Sequence, residues 1–274
     1  MEIPRNSLRL VILSSLKKRL LVEQEFGAGA ILGGEKLIPS ASVVLAPPKP
    51  APQAPTQQAL KVEKVPLEKL MSNRSDEPFT SEPMSREQKI AALQQIAEQL
   101  RDCVRCGVNP ARLNMVFGEG DPDATYMFIG EAPGRDEDEQ GVPFVGRSGQ
   151  LLGDIIEKGM KLPREKVYIA NVLKCRPPDN RTPTPAEAAI CGPNLEHQIE
   201  IIRPRAICLL GAVAFRFLMN PPPSCSLGMA RGAVHSYRGI PVVVTYHPSY
   251  LLRNPAVKKD CWADIQRLLA IPLE

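Results

Sequence analysis

Four cysteines stand where thiolates could share a ligand. Cys103 and Cys106 form a Cys-x-x-Cys pair in a polar segment of low strand propensity, and Cys175 and Cys191 flank a proline-rich loop. Four thiolates suit a zinc ion or an iron–sulfur cluster, and the spacing alone does not choose between them. A thioredoxin-like redox pair needs a strand directly before the motif, whereas here a helical pattern precedes it. Cys208 lies inside an apolar run and reads as a packing residue. Seven cysteines at uneven spacing do not form a secreted disulfide framework and point to a reducing, cytoplasmic setting.

Three further positions could do chemistry. Glu131 sits in the turn Gly130-Glu131-Ala132-Pro133-Gly134, ahead of the acidic run Asp136 to Glu139. No lysine accompanies the glycines, which argues against an ordinary phosphate cradle. A carboxylate there can orient water or stabilise a sugar that gains positive charge, although an acidic run by itself is usually a solvated face. His247 ends an apolar run and precedes Pro248, a place that serves a structural or a catalytic histidine equally well. Phe144, in a glycine-bounded loop, is either a stacking platform for a flat ligand or an anchor under the core.

These residues need a scaffold, and the apolar pattern supplies one. Ser85 caps a helix over 86–100 with Ile90, Leu93, Ile96 and Leu100 on one face. Four short apolar runs follow, at 126–129, 167–172, 206–210 and 242–246, alternating with helical patterns. Such alternation predicts an α/β fold, a three-layer α/β/α sandwich around a central four-stranded parallel sheet. In sheets of this kind ligands bind beyond the carboxyl ends of the strands. Glu131, Asn171 and His247 should therefore face one crevice from three different strands.

Ahead of this domain, assigned to 86–274, lie two appendages. Apolar residues at roughly helical spacing from Ser7 to Phe26 predict an amphipathic helical segment over 1–35, which could pack on the main domain or dock a partner protein. Residues 36–85 are rich in proline and alanine and predict a disordered linker. Lys17, Lys18 and Arg19 interrupt the N-terminal apolar stretch before it reaches membrane-spanning length, so no membrane association is expected. The net charge of +4 tolerates a polyanionic partner without demanding one. A monomer is expected.

Taken together, Gly130-Glu131-Ala132-Pro133-Gly134, Pro143-Phe144-Val145-Gly146, Asn171 through Pro177, Asn180-Arg181-Thr182-Pro183 and His247-Pro248-Ser249 resemble the family 4 uracil-DNA glycosylases, over about Leu100 to Leu269. The resemblance implies a [4Fe–4S] cluster on Cys103, Cys106, Cys175 and Cys191. It also implies a uracil pocket lined by Glu131, Ala132, Pro133, Phe144, Asn171 and His247. The similar family 5 enzymes typically carry leucine where Glu131 stands. The branch that bonds covalently to uracil has an inserted basic loop ending in histidine, and Arg176 to Thr184 holds no histidine.

The resemblance further implies uracil-containing DNA as the partner, and the chemistry of the bond then distributes roles. Uracil must leave as an anion while the deoxyribose approaches an oxocarbenium ion. His247 is assigned as the donor to the pyrimidine oxygen on which charge accumulates. Glu131 is assigned to position water, with Glu137 and Asn180 in support. Asn171 can match uracil O4 and N3–H together, and Phe144 would stack on the flipped ring. Leu251, Leu252 and Arg253 are candidate DNA contacts, the leucines as wedge and the arginine on a phosphate, or else the leucines simply begin core packing. Two rivals remain at this stage: a non-catalytic nucleic-acid-binding protein stapled by zinc or iron–sulfur, and a small electron-transfer protein.

Overall fold

The computed structural model describes residues 77–108 and 112–272. The expected N-terminal helix and most of the expected linker fall outside these residues. The first helix, α1 (Arg86–Leu100), starts as its sequence demands. The Ser85 side chain accepts from the Gln88 backbone N–H, and the Gln88 side chain reaches back to the Ser85 N–H, a reciprocal capping box.

The four apolar runs become β2 (Tyr126–Gly130), β3 (Tyr168–Asn171), β4 (Ala206–Leu210) and β6 (Ile240–Thr245). They pair in parallel in the order β3-β2-β4-β6. Nearly every residue in them is buried, as strands covered on both faces require. The sheet is nevertheless six-stranded rather than four-stranded. Two short antiparallel strands, β1 (Glu119–Gly120) beside β3 and β5 (Val234–Tyr237) beside β6, close its edges.

Side chains alternate between two cores. Ile207 and Leu209 of β4 join one cluster, with Leu93 of α1, Leu195 and Ile199 of the helix Pro193–Ile202, and Phe215 of the helix Ala212–Met219. Ala206, Cys208 and Leu210 join the other, with Leu152, Leu251, Ile265 and Leu268. Cys208 is fully enclosed, as its apolar surroundings predict. Layers of helix, sheet and helix result, in the predicted class.

The domain reaches further toward the N-terminus than the expected boundary at 85/86. Arg238 Nε donates to the Glu77 carbonyl at 3.1 Å, Arg203 donates to the Ser81 hydroxyl, and the Phe79 ring lies 3.8 Å from the Arg238 guanidinium carbon. Residues 77–85 thus form a strap bound to the domain surface. Among the described residues no helix is long and apolar enough to cross a membrane.

A buried ion pair fixes the end of β6, two residues before His247. Asp264 accepts from Arg231 Nε at 2.7 Å, from Thr245 Oγ1 at 2.9 Å and from Arg267 at 3.1 Å, and is itself 1% exposed. Removing the carboxylate leaves Arg231, also largely buried, without its counter-charge. Asp264→Ala is expected to destabilise the domain by about 3–5 kcal/mol in urea unfolding, the scale for breaking a buried pair. A loss under about 0.5 kcal/mol, the usual scale for surface changes, would refute this role.

Candidate active site

The carboxyl ends of β2, β3 and β6 open into a cleft of about 440 Å³. Glu131, Ala132, Pro133, Phe144, Asn171 and His247 all line it, together with Glu137, Asn180 and Arg253. Every expected pocket residue is therefore brought to one place.

Asn171 is the last residue of β3 and stands opposite Gly130 in the sheet register. A methyl group on Gly130 would fall 2.5 Å from Phe144 Cζ and collide with Asn171 Oδ1, so glycine is what lets both side chains crowd over the strand end. Asn171 is buried, and among the described residues its Oδ1 has no hydrogen-bond partner. An orphaned buried acceptor at a cleft wall costs free energy until a donor arrives. It is an acceptor held ready for a ligand N–H.

Phe144 holds an unusual backbone, φ 53°, which is strained for a bulky side chain. The strain turns its ring to the cleft wall, where its centroid lies 5.6 Å from the His247 imidazole. The ring is also part of the second core cluster, so lining the cleft and anchoring the loop coexist.

His247 caps the helix Pro248–Arg253. Its Nδ1 accepts the Ser249 backbone N–H at 3.2 Å and lies 2.8 Å from the Ser249 hydroxyl. With Nδ1 occupied as an acceptor, the proton of the neutral ring sits on Nε2. Burial, and then the positive charge of Arg253, push its pKa down to about 4. At neutral pH the residue is thus an uncharged N–H donor. Gly211, at φ 92°, makes room for it, since a side chain there would meet His247 Cβ at 2.9 Å. Ser249, which sets the tautomer, was not singled out from sequence, although its place two residues after a histidine is a local turn signal.

The two glutamates differ. Burial holds the Glu131 carboxyl above its usual range. Glu137 instead spends both oxygens on the main chain: Oε2 accepts from Gly134 N–H at 3.0 Å, and Oε1 from Val145 at 3.0 Å and Gly146 at 2.9 Å. It ties the Glu131 turn to the Phe144 loop. Asn180 Oδ1 accepts from Arg176 Nε at 2.7 Å, and Asn180 has φ 53°.

At the rim, Leu251 is 1% exposed and packs in the core, which removes it as a DNA contact. The helix beginning at Pro248 turns that position inward. Leu252 is 37% exposed, and Tyr250, also exposed, lines the cleft and stacks on Tyr246 at 5.1 Å. Tyr250, which no sequence motif marked, and Arg181, quoted in a motif but given no role, also line the cleft; Arg181 is ion-paired to Glu187.

A second, much smaller cavity is walled by Cys103, Cys106, Cys175 and Cys191 together with Leu100, Met115 and Ile190. Among the described residues no three His, Cys, Asp or Glu side chains are arranged to hold a single metal ion. The four cysteines nevertheless line one cavity. Donors face the sulfurs: Arg105 Nε to Cys103 at 3.2 Å, Arg112 to Cys175 at 3.0 Å, and the Lys174 N–H toward Cys191 at 3.4 Å. A hydrogen bond shared by Cys106 and Cys191 pulls the first thiol down and pushes the second up, and burial pushes Cys175 up. Cationic and N–H donors of this kind favour sulfur ligands carrying negative charge.

Comparison with known proteins gives consistent matches. The family model described as the uracil DNA glycosylase superfamily matches residues 117–266. A type-4 uracil-DNA glycosylase of Thermotoga maritima is 48% identical over 161 residues, 58% of this chain and 82% of that protein. One from Archaeoglobus fulgidus is 38% identical over 183 residues, 65% of this chain and 92% of that protein. A type-5 uracil-DNA glycosylase of Pyrobaculum aerophilum is 32% identical over 150 residues, 49% and 66% of the two chains.

The electrostatics of the cleft predict that His247 stays neutral, with its proton on Nε2, from pH 8 down to about pH 4. Nitrogen-15 chemical shifts of the imidazole read both properties. Titration near the unperturbed pKa of about 6.5, or a proton on Nδ1, would contradict the assignment.

Proposed function

The chain belongs to the uracil-DNA glycosylase superfamily, and from that premise we propose that it hydrolyses the N-glycosidic bond of uracil flipped out of DNA, the first step of base excision repair. The observation that carries this reading is the pairing of an orphaned buried acceptor, Asn171 Oδ1, with a neutral N–H donor, His247 Nε2, across one cleft.

Uracil presents N3–H and O4 to one edge. Asn171 Oδ1 accepts N3–H, and its amide donates to O4. Cytosine offers an acceptor and a donor in those places and is mismatched twice. Phe144 stacks on the ring, supported in its strained position by the loop that Glu137 ties down. Asn180 shapes the opposite wall. In this reading Glu137 positions loops, and Glu131 is the carboxylate left to act on water.

Cleavage breaks N1–C1′, and the electron pair leaves with the base. His247 Nε2–H donates to the pyrimidine oxygen where the charge collects, and a neutral donor fits because it need not lose a proton at neutral pH. The sugar approaches an oxocarbenium ion, which the Glu131 carboxylate stabilises while orienting water toward C1′. Water oxygen bonds to C1′ and its proton passes to Glu131 or to solvent, leaving uracil and an abasic deoxyribose. Leu252, Tyr250 and Arg253 at the rim are the proposed DNA contacts.

Cys103, Cys106, Cys175 and Cys191 would hold a [4Fe–4S] cluster, for which the walled cavity and its donors are suited. When bound, it supplies a covalent cross-link between the end of α1, the loop after β3 and the helix Pro185–Cys191. No electron transfer enters the hydrolysis.

Uracil release from a uracil-containing oligonucleotide by anaerobically purified protein tests the proposal. Loss of one oxyanion donor predicts a drop of about 10²–10³-fold for His247→Ala. Glu131→Ala should lose about 10²–10⁴-fold. About four irons and four sulfides per chain are expected. No release from iron-loaded wild type would overturn the enzyme assignment. His247 should stay neutral from pH 8 down to pH 6, and the rate should fall in acid as Glu131, whose burial favours the neutral acid, and His247, near pH 4, take up protons. A rate that declines above pH 6.5, the usual histidine pKa, would indicate a charged histidine instead.

A further inference from the structure

One fully buried lysine has no part in the proposed hydrolysis. Lys174 is 1% exposed, although lysine is almost never buried without partners. Its main chain belongs to the cysteine cavity: it precedes Cys175, lines the void, and directs its N–H toward Cys191. Its side chain leaves that wall and doubles back. Nζ donates to the Asn171 carbonyl at 2.9 Å and to Gln198 Oε1 at 2.5 Å, beside the Phe117 ring. Gln198 is itself fixed, its Nε2 donating to the Phe117 carbonyl at 3.1 Å and to the Tyr168 hydroxyl at 3.2 Å. That leaves its oxygen aimed at the Lys174 amine.

The Lys174 side chain therefore closes a ring onto the main chain of the residue whose amide faces the cleft. Within the ring, Val172 and Leu173 donate to the Gly130 and Glu131 carbonyls at 3.0 and 3.1 Å, which extends the β2–β3 pairing past the strand end. Burial pulls the Lys174 amine down to about 7, against smaller opposing effects of Cys191 and Cys175; the two contacts of Nζ need only its N–H groups, which the neutral amine also carries. An apolar residue of the same length would leave two buried acceptors, the Asn171 carbonyl and Gln198 Oε1, without their donor.

We propose that Lys174 is a positioning residue for base recognition: through its two buried Nζ hydrogen bonds it clamps the Asn171 main chain so that the Asn171 amide keeps the orientation that reads uracil. The inference rests on the functional reading above for what Asn171 recognises, but not for the clamp itself. Asn171 to Lys174 then form one closed segment between the base pocket and the wall of the cysteine cavity.

The test compares iron-loaded wild type with Lys174→Met and Gln198→Leu in two measurements. Hydrogen exchange reads the clamp without reference to function: Lys174→Met should speed exchange of the Val172 and Leu173 amides at least tenfold, while β4 amides stay protected. Calorimetry with free uracil reads the consequence: the dissociation constant should rise at least tenfold for Lys174→Met and in the same direction for Gln198→Leu, with iron content and binding to abasic-site duplex unchanged. Unaltered exchange at 172–173 in the iron-loaded variant overturns the clamp. Altered exchange with unaltered uracil affinity overturns its role in recognition. Should Lys174→Met fail to load iron, Gln198→Leu decides by the same readings, because that residue lies off the cysteine loop. Wild type that binds no uracil would count against the functional reading, and the exchange result would still judge the clamp.

Discussion

A parallel sheet brings the carboxyl ends of all its strands to one edge, and everything functional in this chain hangs on that constraint. With the order β3-β2-β4-β6, Asn171, the Glu131 turn, Gly211 and His247 follow one another across the edge. Two of the four places are glycine-dependent: Gly130 frees space for Phe144 and Asn171, and Gly211 for His247. The four parallel strands are held by nearly continuous burial on both faces, which is why they carry almost no charged or amide side chains before their final residues. Polar groups appear where the sheet stops, and there they meet.

The cysteine cavity and the cleft are neighbours along the chain more than in chemistry. One segment, Asn171 to Cys175, runs from the cleft wall to the cavity wall, so whatever stiffens one end is felt at the other. Donors from Arg105 and Arg112 reach the sulfurs from outside that segment. The buried carboxylates follow the same logic. Glu137 and Asp264 each satisfy several donors at once, and each fixes a stretch of main chain next to a cleft residue.

The four central strands were legible because they are uninterrupted apolar runs closed by turns, and their parallel arrangement followed from the helices between them. β1 and β5 were not. β1 is two residues long, and β5 reads Val-His-Ser-Tyr with an exposed face and turns into β6 through Arg238-Gly239, not the Asn-Gly or Asp-Gly pair that marks a two-residue hairpin. The site residues were legible as a group because types and positions agreed. Their roles were less so: nothing in the acidic run distinguishes Glu137, which accepts three backbone N–H bonds, from its solvated neighbours. Leu251 and Leu252 are adjacent and alike in sequence. Only the phase of the helix starting at Pro248 sends one into the core and the other to the surface.

The claim at the centre of this account is that Asn171 reads the base. Single-turnover release of uracil and of cytosine from the same oligonucleotide context, by wild type and by Asn171→Asp, measures it most directly. A bidentate contact is worth about 1–3 kcal/mol of discrimination. The uracil-to-cytosine rate ratio is expected to fall by about 10- to 100-fold in the variant. An unchanged ratio, with the iron content intact, would contradict it.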